Sequence, residues 1–247
     1  MLKKLLITLL FLSALSCKKE GPEKEYYNNG NLKSVYVYKP GFKGAERKFY
    51  NENGILVGQK IWKDSLNVIQ KEYYRNKKRK AFGALYDEHK TGWWSFYNGD
   101  GLLNRKTEFV FIDGKEVANQ TIIYKPDGTV NPQESTIFSI ALKDTLKVGR
   151  SIGTINYRPV LSAKSVFNVY VGQGIKPDFS NLRTVKLDTF SSDDKNNIWF
   201  GVEALQPGKK SVGGILEELF YEANKDKTDL VIKKQYTYFR KDIYIAE

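Results

Sequence analysis

Short runs in which apolar and polar residues alternate fill most of the chain, and this two-residue period belongs to half-buried β-strands. In the first half, Val35-Tyr-Val-Tyr38 and Thr107-Glu-Phe-Val-Phe-Ile112 are of this kind. In the second half, the runs Thr136 to Leu142, Ser165 to Val171, Thr184 to Phe190, Ile198 to Ala204, Gly214 to Tyr221 and Leu230 to Ile245 read the same way. Turn-forming clusters separate them, as at Gly172-Gln-Gly174, Asp193-Asp-Lys-Asn-Asn197 and Gln206-Pro-Gly208. Gly214 to Tyr221 has a competing helical reading through its apolar residues at 215, 216, 219 and 220; Gly213-Gly214 before it favours a strand. In the last run, Ile232, Tyr236 and Tyr238 share one parity and Ile243 and Ile245 the other, which predicts a bulge near Arg240 to Asp242. The pattern predicts an all-β chain.

The first half also repeats itself. Glu25-Tyr-Tyr-Asn-Asn-Gly-Asn-Leu-Lys33 returns as Lys48-Phe-Tyr-Asn-Glu-Asn-Gly-Ile-Leu56, Glu72-Tyr-Tyr-Arg-Asn-Lys-Lys-Arg79, Ser95-Phe-Tyr-Asn-Gly-Asp-Gly-Leu-Leu103 and Ile122-Ile-Tyr-Lys-Pro-Asp-Gly-Thr-Val130. The anchor tyrosines Tyr27, Tyr50, Tyr74, Tyr97 and Tyr124 are separated by 23, 24, 23 and 27 residues. A period in this range marks a stacked array. Aromatics precede Asn-Gly or Asp-Gly, whose tolerance of positive φ suits hairpin turns. Each copy is therefore expected to be one β-hairpin of an antiparallel sheet, its tyrosines buried on one face. The third copy has lost its glycine at Lys77-Lys78-Arg79-Lys80, which points to an irregular turn.

The period ends at Asn131-Pro132. We therefore divide the chain into a repeat domain over 25–131 and a second domain over 132–247. Six or seven short strands in the latter suggest an immunoglobulin-like β-sandwich.

Tyr-Tyr-x-Asn-Gly-x-Leu-Lys and Gly92-Trp-Trp-Ser-Phe-Tyr97 resemble the MORN-variant repeat, with its Gly-x-Trp-x-x-Tyr core. The resemblance covers 25 to about 130 and implies a hairpin-array architecture. Bacterial proteins with this variant are often labelled antitoxin-like, and related repeats serve as membrane-associated or protein-binding platforms.

Residues 1–17 break the β pattern. Lys3 and Lys4 precede the apolar run Leu5 to Leu15, and Ala14-Leu15-Ser16-Cys17 follows. This resembles a bacterial lipoprotein signal peptide with its lipobox. The resemblance implies removal of 1–16 and a diacylglycerol thioether on Cys17. A membrane-spanning helix needs about 20 apolar residues, more than this run supplies. Residues 17–24 then read as a flexible tether. Lys18 after the cysteine argues, by resemblance to known sorting rules, against retention at the inner membrane. The expected location is a Bacteroidota-type envelope, at the outer membrane, with periplasmic face or cell surface left open.

Charge and chemistry add little. The net charge of +12 is spread along the chain and suits anionic partners; nucleic acid is a poor partner for a lipid-anchored envelope protein. Cys17 is the single cysteine, so neither a disulfide framework nor cysteine-bound zinc is expected. His89 is the sole histidine and lies in a polar loop, Tyr86-Asp-Glu-His-Lys-Thr-Gly92. Asp193 and Asp194 read as turn formers. No nucleophile elbow or phosphate-binding loop occurs, and no cofactor or metal is expected. Adjacent Trp93 and Trp94 must face opposite sides of a strand. One of them, flanked by Lys77, Lys78, Arg79 and Lys80 from the preceding copy, is the candidate binding surface for an envelope protein or an anionic glycan. The expected function is a non-enzymatic, lipid-anchored binding or scaffold module. The alternatives are a glycan-binding or glycan-processing lipoprotein and an envelope immunity protein.

Overall fold

The computed structural model describes residues 22–38, 45–193, 197–224, 226 and 228–247. Cys17, the leader and most of the expected tether lie outside them. The chain is all-β, with no helix among the described residues.

Nine strands form the first sheet in sequence order: β1 (Glu23–Tyr26), β2 (Leu32–Tyr38), β3 (Ala45–Tyr50), β4 (Leu56–Trp62), β5 (Asn67–Tyr73), β6 (Arg79–Tyr86), β7 (His89–Tyr97), β8 (Leu103–Ile112) and β9 (Lys115–Ile123). Every neighbour is antiparallel. One row of paired residues crosses the sheet without a break: Val35, Lys48, Gln59, Lys71, Phe82, Ser95, Lys106, Ile122. The strand β1 begins inside the expected tether, because Glu23 and Lys24 pair with Tyr36 and Val35.

The repeat is visible in five matching hairpin loops. Each closes through two backbone bonds, as when Gly30 N–H donates to Tyr27 O (2.9 Å) and Tyr27 N–H to Asn31 O (2.8 Å). Each places one residue at positive φ: Gly30 (82°), Gly54 (73°), Lys77 (65°), Gly101 (83°) and Gly128 (82°). The third loop is thus regular, with Lys77 holding the left-handed conformation that glycine holds elsewhere. Aligned on these residues, the equivalent tyrosines are Tyr26, Tyr50, Tyr73, Tyr97 and Tyr124; the sequence alignment was one residue off in copies one and three. They are not buried. Tyr26 is 56 % exposed and the others are half-buried, because a single-layer sheet covers only part of a ring. Tyr27 and Tyr74 instead open their loops and link neighbours: Tyr27 OH donates to Tyr50 O (2.7 Å), and Tyr74 OH to Tyr97 O (2.8 Å).

The second half is a two-sheet sandwich. One sheet runs β10 (Phe138–Ala141), β12 (Gly149–Tyr157), β15 (Ile198–Ala204). The other runs β11 (Thr145–Lys147), β17 (Leu230–Ala246), β16 (Gly208–Ala223), β13 (Val166–Gln173), β14 (Asp188–Ser191). Lettered A, A′, B, C, C′, E, F, G in chain order, these are A-B-E and A′-G-F-C-C′, an immunoglobulin-type order without strand D. The burial of β15 alternates residue by residue: Ile198, Phe200, Val202 and Ala204 are buried, while Trp199, Gly201 and Glu203 are exposed. With Ile155, Phe167, Val169, Val171, Val212, Leu216, Phe239, Ile243 and Ile245 they form the core between the sheets. The expected bulge in β17 is absent, and its pairing with β16 runs unbroken. Its odd residues Phe239, Ile243 and Ile245 face the core. Its even residue Tyr238 is apolar for another reason: it packs outward, against Phe179 and the first half.

Candidate functional site

The two tryptophans part as strand geometry requires. Trp94 is fully buried, over Gly83, and its Nε1 donates to Ala84 O (2.8 Å). Val68, Ala81 and Leu85 complete that small core. Trp93 is 42 % exposed on the opposite face, paired with Glu108. The basic residues engage locally. Lys77 and Lys78 sit at the loop tip, where Lys78 Nζ donates to Asp100 O (2.8 Å). Arg79 lies over Phe82 (5.4 Å) and Tyr97 (5.8 Å), and Lys80 pairs with Glu72 (3.8 Å). Phe96, level with Ala81 at the base of that loop, is three residues from Trp93, about 10 Å along a strand. Trp94, closed in its core, belongs to no surface with these cations.

A large concavity lies elsewhere, between the two halves. It is a cleft of about 1320 Å³, and three segments build it. The first is the β6–β7 turn, Tyr86-Asp87-Glu88-His89, where Asp87 (φ 48°) and Glu88 (φ 64°) both hold positive φ. The second is the β8–β9 hairpin with its Asp113-Gly114 turn. The third is the long loop between β13 and β14, which carries Lys176 to Leu187 and is backed by Tyr238 and Arg240. That loop has its own packing. Ile175, Phe179 and Leu182 are buried against Val110, and Ile112, Val117 and Tyr238 pack on them. This small core joins the halves.

Aromatic rings form part of the lining. His89 and Phe111 lie with ring centres 4.4 Å apart, and Phe109, Tyr86 and Tyr238 continue the surface. Lys90 Nζ sits 5.0 Å from the Phe109 ring and pairs with Glu116 (3.1 Å). Arg183 pairs across the cleft with Asp113 (2.7 Å). Arg240 is held by Asp242 and donates to Ile175 O (2.7 Å). Burial pushes the Glu108 carboxyl above its ordinary value, against hydrogen bonds from Asn119 and Gln120, both 2.7 Å. Elsewhere in the lining, the backbone N–H and hydroxyl of Ser180 hold Asp178 below its ordinary value. The cleft therefore contains carboxyls displaced in opposite directions. Among the described residues, no three His, Cys, Asp or Glu side chains gather as a metal-binding group.

A scan of known protein families and a search of curated proteins find no match to this chain. The cleft was missed in the sequence because its walls come from separate halves. Two signals for it were present: the turn dipeptide Asp113-Gly114, and the apolar spacing of Ile175, Phe179 and Leu182 inside what reads as a loop.

Proposed function

We propose that this protein is a lipid-anchored envelope lipoprotein that binds its ligand, without turning it over, in the cleft between the repeat sheet and the sandwich. The observation that supports this reading is the cleft itself. Its volume exceeds the roughly 300–1,000 Å³ of ordinary small-molecule pockets, which suits a segment of a polymer. Its lining combines an aromatic surface with charges of both signs, the makeup that recognises an extended glycan through ring stacking and hydrogen bonds. The anchor is Cys17, and the MORN-like sheet is the spacer that carries one wall.

Two experiments test this. Membrane fractionation of Cys17→Ala is expected to release the protein or leave an uncleaved precursor; normal processing and retention would refute the anchor. Calorimetry against envelope polysaccharide fragments is expected to detect binding that Phe111→Ala weakens at least tenfold. Equal binding by both proteins would refute the cleft as the site.

A second reading, glycan processing, has one observation in its favour. Glu108 is pushed up while Asp178 is held down, the kind of separation that divides acid and base roles between two carboxyls. Hydrolysis of a polysaccharide panel, abolished in Glu108→Gln, would establish it over simple binding.

A further inference from the structure

Asn119 occupies a bulge in β9. Glu108 faces Gln120 and the next residue, Phe109, faces Ala118, so Asn119 has no partner in the ladder. It is nevertheless 3 % exposed. Its side chain reaches the other half of the molecule. Nδ2 donates to Tyr238 O (2.8 Å), and Oδ1 accepts from Tyr238 N–H (2.7 Å). The amide thus gives β17 the pair of bonds that a neighbouring strand would give. Nδ2 also donates to Glu108 Oε2 (2.7 Å), which fixes which end of the amide faces which atom.

Among the described residues, the other polar link across this face, Arg183 to Asp113, is exposed on both sides and screened by solvent. Further along β9 the connection is covalent and tied down: Thr136 N–H donates to Thr121 O, Ile123 N–H to Ser135 Oγ and, within the second half, Arg158 N–H to Ile137 O. Residues 124–137 are therefore the link about which the halves can turn, and from Asn119 to the β8–β9 turn no other buried polar bond fastens the walls among the described residues.

We propose that Asn119 is that fastening: a latch that holds the β8–β9 hairpin against Tyr238 and so sets the width of the cleft. Glu108 orients it and is a positioning residue. The latch concerns the shape of the cleft and stands whether or not a glycan enters it. When it is released, the small core of Val110, Ile175, Phe179 and Leu182 is the only buried contact left between the walls among the described residues, and the cleft opens about 124–137.

Hydrogen exchange by mass spectrometry on the full chain in detergent tests this. In Asn119→Ala, exchange is expected to rise at least tenfold at Tyr238 and throughout 110–117 and 175–187, while 45–73 and 198–204 keep their protection. Glu108→Gln, which retains an acceptor for Asn119, is expected to keep both walls at least as protected as in the parent. A rise confined to Tyr238, or none, would overturn the latch. Should Asn119→Ala also loosen 45–73, Asn119→Asp decides. At neutral pH its carboxylate meets Tyr238 O and Glu108, so both walls are expected to open; in acid the protonated carboxyl donates again, and they close. Walls that stay shut in Asn119→Asp at neutral pH would equally refute the proposal.

Discussion

Single residues show where the chain is under strain and where it is packed. Lys77 holds φ 65° at the position that four glycines hold in the other loops. The left-handed conformation costs an L-residue about 1–2 kcal/mol, so Lys77→Gly is expected to stabilise the protein by about 1 kcal/mol in urea denaturation. Trp93 and Trp94 are expected to differ sharply. Trp94→Ala empties a closed core and should cost about 3–5 kcal/mol. Trp93→Ala, on the exposed face, should stay within about 0.5 kcal/mol. Gly83 explains why the split runs this way: a Cβ there would lie 2.3 Å from the Trp94 ring, so only glycine leaves room for the indole. The sequence states that adjacent tryptophans face apart. Which one faces inward depends on Gly83, across the pair, and pairing partners are not written in either strand.

At the level of elements, the segment between β12 and β13 depends on one carboxylate. Glu218 is fully buried in β16 and accepts from Val160 N–H (2.9 Å), Leu161 N–H (2.8 Å), Ser165 Oγ (2.6 Å) and Tyr157 OH (2.9 Å). Burial and the adjacent Glu218 hold the Tyr157 phenol well above its ordinary value, so it stays a donor. Glu218→Ala would strand several buried donors at about 1–3 kcal/mol each. It is expected to lower the midpoint of unfolding more than any surface substitution, and to expose 158–165 to protease first. An unchanged midpoint would show that water replaces the carboxylate. The strands themselves were largely legible. The alternation in Ile198 to Ala204 and the turn pairs of the repeats locate β15 and the hairpins. Less was legible elsewhere: β11 is only three residues long and was not foreseen, the expected run Thr184 to Phe190 is strand only from Asp188, and β12 and the outer face of β17 were missed. Gly149–Tyr157 forms β12, yet Gly149, Ser151, Gly153 and Asn156 dilute its apolar signal. The parity change in β17 reflects two covered faces instead of a bulge, because what lies over a strand's outer face is decided by a distant loop.

For the whole molecule, acid is expected to destabilise. Glu25 is held below its ordinary value by Ser34 and Arg47, Asp64 by the Asn67 and Leu66 backbone, Asp127 by Thr129, and Asp144 by Lys241. Glu217 joins them: its burial opposes ionisation, but Asn168, Tyr170 and Lys234 outweigh that. Each group has a lower folded than unfolded value, so its stabilisation is complete above the unfolded value, 3.8 for Asp or 4.5 for Glu, and is lost as pH falls through the folded one. Glu108 acts in the opposite sense, and stability is lost as pH rises through its raised value. The melting temperature is expected to fall below about pH 4, and Glu108→Gln is expected to raise it near neutrality. A flat profile down to about pH 3 would contradict the carboxylate assignments. The location of the cleft was illegible for a related reason: it exists only through the contact of two halves that each look self-contained in sequence.

The loop-to-loop bonds carry one more consequence. Tyr27 and Asn29 bond forward to Tyr50 O and Glu52 O; Tyr74 and Asn76 bond forward to Tyr97 O and Gly99 O. Each residue of the second set lies 47 positions after its counterpart in the first. The unit that propagates is therefore a pair of hairpins, one loop opening with tyrosine and the next with asparagine, as at Asn51 and Asn98. An array of this kind gains or loses members two at a time. A chain lengthened by duplicating residues 28–74, which carry β2 to β5, should keep every tyrosine hydroxyl supplied with a carbonyl and fold with four strands added to the sheet. One lengthened by a single hairpin would set two like loops side by side and break this alternation.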